Sequence, residues 1–317
     1  MDLCPPGRYY RSVASVGKLA AKIKLRGRVA AAEPMRAHTS FRLGGPADLF
    51  LAPSDPEDLA AALSVLRDEG VPVFVLGGGT NLLVADRGIR GAVVDLTGIR
   101  GLEAGAGTIS ALCGTPMDDA AGFARDRGLS GLEFAASLPG SVGGAVWMNA
   151  RCYEREIADV LESVESLDDG LVLRRRSIEP GVWGYKRSPF QSTSEVIVRA
   201  AFRLSPGDSR TIDGEMRRHR QDREAKGHFL HPCAGSVFKN DRSFGKPTGR
   251  LIDELGLKGL RTGGAQVAPY HGNIIVNLGD ATAADVRALI ERVEREVADR
   301  LGLRLEREVI LAGDWRD

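Results

Sequence analysis

The sequence predicts an α+β protein of two or three domains, and three observations carry that prediction. Its 317 residues are too many for one simple core, and 43% of them are hydrophobic, enough to bury more than one. Short β-rich runs alternate with stretches whose apolar positions recur every three to four residues, the pattern of amphipathic helices packed on sheets. A polar break at Ser205-Pro206-Gly207-Asp208 then separates a larger first half from a smaller second half with helices and short strands of its own.

In chain order, the N-terminal stretch carries seven basic residues up to Val29 and no apolar run of signal-peptide length. Its first dozen or so residues, counted to residue 16, are expected as a loose extension. From Phe41 to Phe134 the runs DLFLA, PVFVL, AVVDL and TISALC read as strands, and DPEDLAAALSVLRDEG and PMDDAAGFARDRG as helices. IADVLESVESL, LVLRRRSI and EVIVRAAFRL continue the β-rich pattern up to the break. Beyond it come a charged helix in GEMRRHRQDREAKG, short strands around SVFKN and GAQVA, a helix in PTGRLIDELGL, and a long amphipathic helix in ATAADVRALIERVEREVADRLG. The closing LRLEREVILAG reads as a strand with no partner nearby.

Composition narrows the function classes. A net charge of +1 argues against nucleic-acid or membrane-surface binding driven by electrostatics, so small-molecule chemistry is favoured. No segment approaches the length of a membrane span. Cys4, Cys113, Cys152 and Cys233 lack C-x-x-C spacing, and the five histidines lack H-E-x-x-H spacing, so neither a disulfide framework nor a metal is expected. A reducing cytoplasm fits.

The strongest local signal is the run from Val71 to Leu96, which reads as a buried strand, a glycine turn and a second strand. Gly77, Gly78 and Gly79 lack a Cβ, so their backbone N–H groups can approach a diphosphate, and Thr80 and Asn81 add side-chain donors. The glycines run into an apolar strand-like stretch rather than a helix, so a nucleotide is suggested but not on a Rossmann unit. A tight turn is the plainer reading of the same triplet. A second glycine-rich loop, Ser137 to Gly144, includes Gly140, Ser141 and Gly143; two such loops suit a dinucleotide better than a mononucleotide.

Ser236, in HPCAGSVFKND, stands between a glycine and a β-rich run, with Lys239 and Asn240 close in sequence. No G-x-S-x-G elbow surrounds it, which favours a proton donor over a nucleophile. The basic run from Arg217 to Lys226 spreads around a helix and is mostly solvated face; only its last turn approaches the Ser236 loop.

Taken in order, HTSFRLGGPADLF, VLGGGTNLLVAD, GLEFAASLPGSVGGAVWMNA, YKRSPF, AGSVFKN, GRLIDELGLKG, GGAQV and LEREVILAG resemble the UDP-N-acetylenolpyruvoylglucosamine reductase family, from about Leu19 to Gly313. The resemblance implies a two-subdomain FAD-binding region of the vanillyl-alcohol-oxidase (PCMH) type at residues 17–204, then a smaller α+β substrate-binding unit at 205–304. The strand at 305–317 returns to the FAD-binding region. It also implies non-covalent FAD, NADPH as co-substrate, and reduction of the enolpyruvyl ether of UDP-N-acetylglucosamine to UDP-N-acetylmuramate for peptidoglycan synthesis. Under the resemblance Ser236 is the proton donor, Glu308 and Lys186 flank the reacting group, and Tyr185, Lys226, Asn240 and His271 line the sugar-nucleotide cleft. Gly77 to Asn81 and Ser137 to Gly144 hold FAD. The family pattern Y-R-x-S-x-F reads here as Tyr185, Lys186, Arg187, Ser188, Pro189, Phe190, so Lys186 or Arg187 takes the place of an arginine; Ser188 and Phe190 set a register that favours Lys186. Arg151, Cys152 and Glu154 depart from a commonly smaller loop, and Asp241 from a common proline. Two other readings fit the same residues: an FAD-dependent oxidase of the same fold, and a catalytically weak regulator that binds flavin or a sugar nucleotide.

Overall fold

Helix α1 (Val13–Lys22) opens the part of the chain that the computed structural model describes, residues 13–179 and 181–316. Val16 and Leu19, with Ile23 just beyond, are buried against the first core, so the chain is already packed before the extension was expected to end; the first dozen residues lie outside the described residues. The periodicity of V-x-x-L-x-x-x-I is the helical signal that the basic residues masked. Asp58 then fixes the entry to the sheet, its carboxylate accepting from the backbone N–H groups of Arg26 and Gly27, both at 3.0 Å.

Strands β1 (Arg28–Pro34), β2 (Pro46–Ala52), β3 (Val73–Leu76) and β5 (Ile89–Asp95) form one sheet in the order β1-β2-β5-β3. Helix α2 (Pro56–Asp68), capped by the Asp55 side chain, makes the crossover that lets β2 and β3 both run parallel to β5. Side chains alternate across this sheet. Leu49, Leu51, Ala92 and Val94 enter one core, whereas Ala47, Phe50, Ile89 and Val93 enter another with Met35 and Val84 on the opposite face. Strand β4 (Leu82–Val84) leaves the glycine turn and stays out of this sheet. The strand expected as buried, β3, is not: Val73 and Val75 are each 39% exposed and face a cavity.

The second subdomain begins with β6 (Leu102–Gly105) and β7 (Thr108–Leu112), followed by α3 (Met117–Arg125), β8 (Leu129–Ser130) and α4 (Val142–Met148). A short hairpin, β9 (Arg151–Cys152) with β10 (Arg155–Glu156), leads to β11 (Leu161–Leu167), β12 (Leu173–Ser177) and β13 (Val196–Arg203). The sheet is antiparallel throughout, in the order β12-β11-β13-β7-β6.

At the expected linker the chain does not let go of this unit. Ser205 and Pro206, as β14 (Ser205–Pro206), pair with Ser130 and Leu129 of β8. Helix α5 (Ser209–Ala225), capped by Asp208 and expected with the second half, buries Ile212 and Met216 in the first core. Its few apolar residues sit on one narrow stripe, and composition alone did not say which core that stripe would meet.

The second core gathers Val237, Phe238, Ile252, Val267, Val286, Leu289, Ile290, Val293 and Val297. It is built from α6 (Thr248–Glu254), a sheet of β15 (Arg261–Thr262), β16 (Ala265–Val267) and β17 (Ile275–Asn277), and α7 (Ala283–Leu301). Helix α7 starts at a reciprocal Thr282–Asp285 capping box and stops at Gly302, whose φ of 67° is left-handed. The SVFKN segment makes only isolated bridges, Ser236 with Ile274 and Phe238 with Arg307. The closing run changes partners along its length: Leu305 is buried in the second core, and β18 (Ile310–Ala312) pairs parallel with β4, Ile310 opposite Leu82.

Candidate active site

One cavity of about 1740 Å³ is lined by both glycine-rich loops, the Tyr185–Lys186 turn, the end of α5, the Ser236–Asp241 segment and Glu308. Pockets for a single small ligand run from about 300 to 1,000 Å³, so this volume suits two ligands side by side.

The first demand on the glycines is mutual packing. A Cβ on Gly77 would lie 2.7 Å from Ser141 Oγ, one on Gly78 2.7 Å from Gly140 Cα, and one on Gly79 1.9 Å from the His38 carbonyl oxygen. Gly79 and Gly140 also have φ of +63° and +114°, which side chains rarely adopt. The two loops therefore touch backbone to backbone, with Thr80 Oγ1 donating to the Pro139 carbonyl at 3.3 Å. Ser141, Gly143 and Gly144 join Gly77, Gly78, Gly79, Thr80, Asn81 and Gly140 on the cavity wall. Ser137 does not line the cavity: its φ is +62°, its N–H donates to Asp118 Oδ1, and its hydroxyl is buried without a partner. Bare backbone on one side and exposed Val73 and Val75 on another form a wall suited to a diphosphate joined to flat aromatic rings.

Lys186 has a φ of +55°, a strained conformation for a side chain and one that persists only when its surroundings enforce it. Gly184 and Arg187 exchange both backbone hydrogen bonds around it, and Gln191 Nε2 donates to its carbonyl at 3.1 Å. Asn149, fully buried with φ of +43°, donates from Nδ2 to Glu156 Oε1 and the Gly184 carbonyl and accepts from Ala158 N–H. The outcome is a fixed ammonium: Lys186 Nζ lies 2.6 Å from Glu308 Oε1, and both side chains are 12% exposed. Lys186 lines the cavity and Arg187 does not.

Ser236 and Glu308 come from segments bonded to each other. Glu308 N–H donates to the Val237 carbonyl at 2.8 Å, and Lys239 N–H to the Glu306 carbonyl at 2.8 Å. On the other side Asn273 clamps Phe238, accepting from its N–H at 2.9 Å and donating to its carbonyl at 2.8 Å. Asn81 completes the joint, its Nδ2 donating to the Glu308 carbonyl at 2.9 Å. Lys239 Nζ pairs with Glu306 Oε1 at 2.6 Å. Asn240 directs Oδ1 at the Thr248 N–H, and its own N–H donates to the Tyr185 hydroxyl at 3.2 Å. Tyr185 also lies under the Arg151 guanidinium, 5.6 Å from its ring centroid.

Lys226 and His271 line another part of the cavity. Lys226 Nζ pairs with Asp222 Oδ2 at 2.7 Å. Burial, then the Lys226 charge, pushes the His271 pKa below its usual value, and its Nδ1 accepts from Asn273 N–H at 3.1 Å. Sequence reading passed over three neighbours. Arg223, in the last turn of α5 but given no role of its own, lines the cavity beside His228. Tyr153 stacks on His219 at 3.8 Å and sets its hydroxyl 2.8 Å from Asp222 Oδ2; burial and then that hydrogen bond raise its pKa. Asn149 and Asn273 gave no sequence signal, because their partners are distant in the chain. A helix ending in asparagine was the one available hint for Asn149. Among the described residues no group of histidine, cysteine, aspartate and glutamate side chains is arranged to hold a metal.

A family model described as "UDP-N-acetylenolpyruvoylglucosamine reductase, C-terminal domain" matches residues 227–312, and one described as "FAD binding domain" matches residues 47–174. The UDP-N-acetylenolpyruvoylglucosamine reductase of Treponema denticola is 42% identical over 307 residues, covering 89% of this chain and 93% of its own. That of Rubrobacter xylanophilus is 44% identical over 284 residues, covering 89% and 94%. The crystal structure of the Thermus caldophilus enzyme superimposes with a TM-score of 0.75 at 34% identity, covering 91% of this chain and all of that one. With such identity over nearly the whole length, this chain belongs to the UDP-N-acetylenolpyruvoylglucosamine reductase family.

Proposed function

We propose that this protein binds FAD without a covalent link and uses NADPH to reduce the enolpyruvyl ether of UDP-N-acetylglucosamine to UDP-N-acetylmuramate, a cytoplasmic step of peptidoglycan precursor synthesis. The observation that carries the reading is the Lys186–Glu308 pair facing the same cavity as Ser236 in a chain of this family. We further propose that the two sheets between Arg28 and Arg203 hold the cofactor and that the unit built on the second core carries the substrate.

The residues present fit FAD. Gly77 to Asn81 with Gly140, Ser141, Gly143 and Gly144 would hold its diphosphate, and Val73 and Val75 supply apolar wall. Bound flavin supplies a two-electron carrier that takes hydride from the nicotinamide and passes it to carbon.

Hydride arriving at the terminal carbon of the enolpyruvyl group leaves negative charge on the carbon beside its carboxylate. Lys186 provides a fixed positive charge for that enolate, at a site where little water competes. Glu308 keeps the ammonium in place, and because the two charges offset each other, Lys186 acts on the enolate chiefly through N–H hydrogen bonds from a held position. Ser236 then gives a proton to the second carbon. A serine hydroxyl is a poor acid in water, and Lys239, three residues on, lining the same cavity and tied to Glu306, is the group assigned to relay its replacement. Tyr185, Asn240, Lys226 and His271 hold the sugar nucleotide.

Anaerobic stopped-flow tests the reading. NADPH should bleach the flavin, and the enolpyruvyl sugar nucleotide should restore its colour stoichiometrically. In a parallel aerated mix, reoxidation by oxygen that outruns reoxidation by the sugar nucleotide would point to an oxidase instead.

A further inference from the structure

Three buried polar atoms without a hydrogen-bond partner cluster where α5 ends: Arg223 Nε, His228 Nδ1 and the Tyr270 hydroxyl. His228 N–H donates to the Arg223 carbonyl at 3.1 Å, and a Cβ on Gly227 would touch the Tyr270 ring at 2.7 Å, so the three share one small region. Buried polar groups are nearly always paired, and two of these exceptions belong to residues that line the cavity, Arg223 and His228, which singles that pair out for contact with a ligand.

We propose that His228 is a substrate-positioning residue that donates from Nε2 to the diphosphate of the sugar nucleotide, beside an uncompensated positive charge on Arg223. This rests on the proposed reductase function and extends it to residues outside the motifs that suggested it. The ring lines the cavity while Nδ1 is buried, which leaves the Nε2 edge for a ligand. Nδ1 is buried with no acceptor to receive a proton from it, so the tautomer assigned here carries its proton on Nε2. Burial first, then the charges of Arg223, His271 and Lys226, lower the His228 pKa to about 4 against the opposing pull of Asp222, and the ring is a neutral donor at pH 7. His271 is set the same way: its Nδ1 accepts from Asn273, its proton is on Nε2, and its ring centroid is 5.7 Å from that of His228.

Charge identifies the ligand class. Lys226 already has Asp222, whereas Arg223 forms no ion pair among the described residues; it donates to Cys152 Sγ at 3.9 Å and lies 5.7 Å over the Phe229 ring. Asp222, the carboxylate beside them, is already engaged by Lys226 and by the Tyr153 hydroxyl, so one free cation and two neutral N–H donors remain, a set that suits phosphoryl oxygens better than sugar hydroxyls.

The test measures UDP and uridine binding to the flavin-loaded full chain with His228→Gln, His228→Asn and His228→Phe. Glutamine Nε2 reproduces the cavity-facing donor; asparagine reproduces the other edge of the ring. UDP affinity should be close to wild type in the glutamine variant and about tenfold to a hundredfold weaker in the other two, with uridine affinity unchanged throughout. KM for the enolpyruvyl sugar nucleotide should rise by more than kcat falls. UDP affinity that ignores all three substitutions, or that falls in parallel with uridine affinity, overturns the proposal, as does a glutamine variant no better than phenylalanine. If the phenylalanine variant does not fold, the contrast between glutamine and asparagine decides. A protein that binds UDP in this His228-dependent way but does not turn over the enolpyruvyl sugar nucleotide keeps this inference and loses the reductase reading; turnover with His228-independent UDP binding does the reverse.

Discussion

Lys186 and Glu308 meet at 2.6 Å although the whole second unit separates them in the chain. One is held by a strained turn, the other by the segment that leaves the second core for β4. Neither local conformation explains itself without the contact: a left-handed lysine costs about 1–3 kcal/mol, and a half-satisfied buried charge costs more.

Replacing Lys186 by methionine should therefore lower turnover of the sugar nucleotide by about a hundredfold or more, the usual effect of losing one fixed group at a developing charge. Lys186→Arg should keep most of the activity, since the charge remains at the same register. Steady-state NADPH oxidation reads both; equal losses in the two variants would contradict a role based on charge.

Ser236→Ala should leave reduction of the flavin by NADPH intact and slow its reoxidation by substrate by about a hundredfold to ten-thousandfold, the range for general acid help. Single-turnover traces of the two half-reactions separate these outcomes, and comparable slowing of both would remove the proton-donor assignment.

Gly78→Ala should cost flavin affinity. Its new methyl group would stand 2.7 Å from Gly140 Cα, where backbone cannot step aside as a side-chain end can. Overpacking of this kind costs about 1–3 kcal/mol, so the purified variant should lose its yellow colour on dialysis while wild type keeps it.

Asp58 governs acid stability. Its side chain is 6% exposed, and burial alone would raise its pKa; the N–H groups of Arg26, Ser54 and Gly27 and the Ser54 hydroxyl reverse that and hold it at about 2, against 3.8 when free. A folded pKa below the unfolded one stabilises the protein above about pH 4, and the gain disappears as pH falls through 2. It amounts to about 2 kcal/mol at neutral pH. Urea unfolding should find Asp58→Asn weaker by about that much at pH 7 and nearly level with wild type at pH 2; a gap independent of pH would exclude the charge as the cause.

Helix periodicity made α2, α3, α6 and α7 readable, and side-chain caps at Asp55 and Thr282 marked the starts of α2 and α7. Helix α5 was readable as a helix but not as part of the first core, since Ile212, Met216 and His219 are all that mark its buried face. The motifs led to Ser236, Glu308 and Lys186 together, and the register argument chose Lys186 over Arg187 at the cavity. What sequence could not offer were the groups that act across distance: Asn149 under the lysine turn, Asn273 around Phe238, and Arg223, whose direction depends on how α5 seats. Asn277 of β17 is another such group, tying the first half of the chain into the second core by donating to the Phe41 carbonyl at 3.0 Å.

Because β18 joins the segment carrying Glu308 to β4 of the first half, the site is complete only when residues 305–312 are seated. Phe41, Leu43 and Leu83 of the first half are themselves buried in the second core, and Lys186 lacks its counter-ion whenever the exit strand is unseated. A destabilised second unit would then yield a coloured but idle protein, so heat treatment should abolish turnover before it releases the pigment.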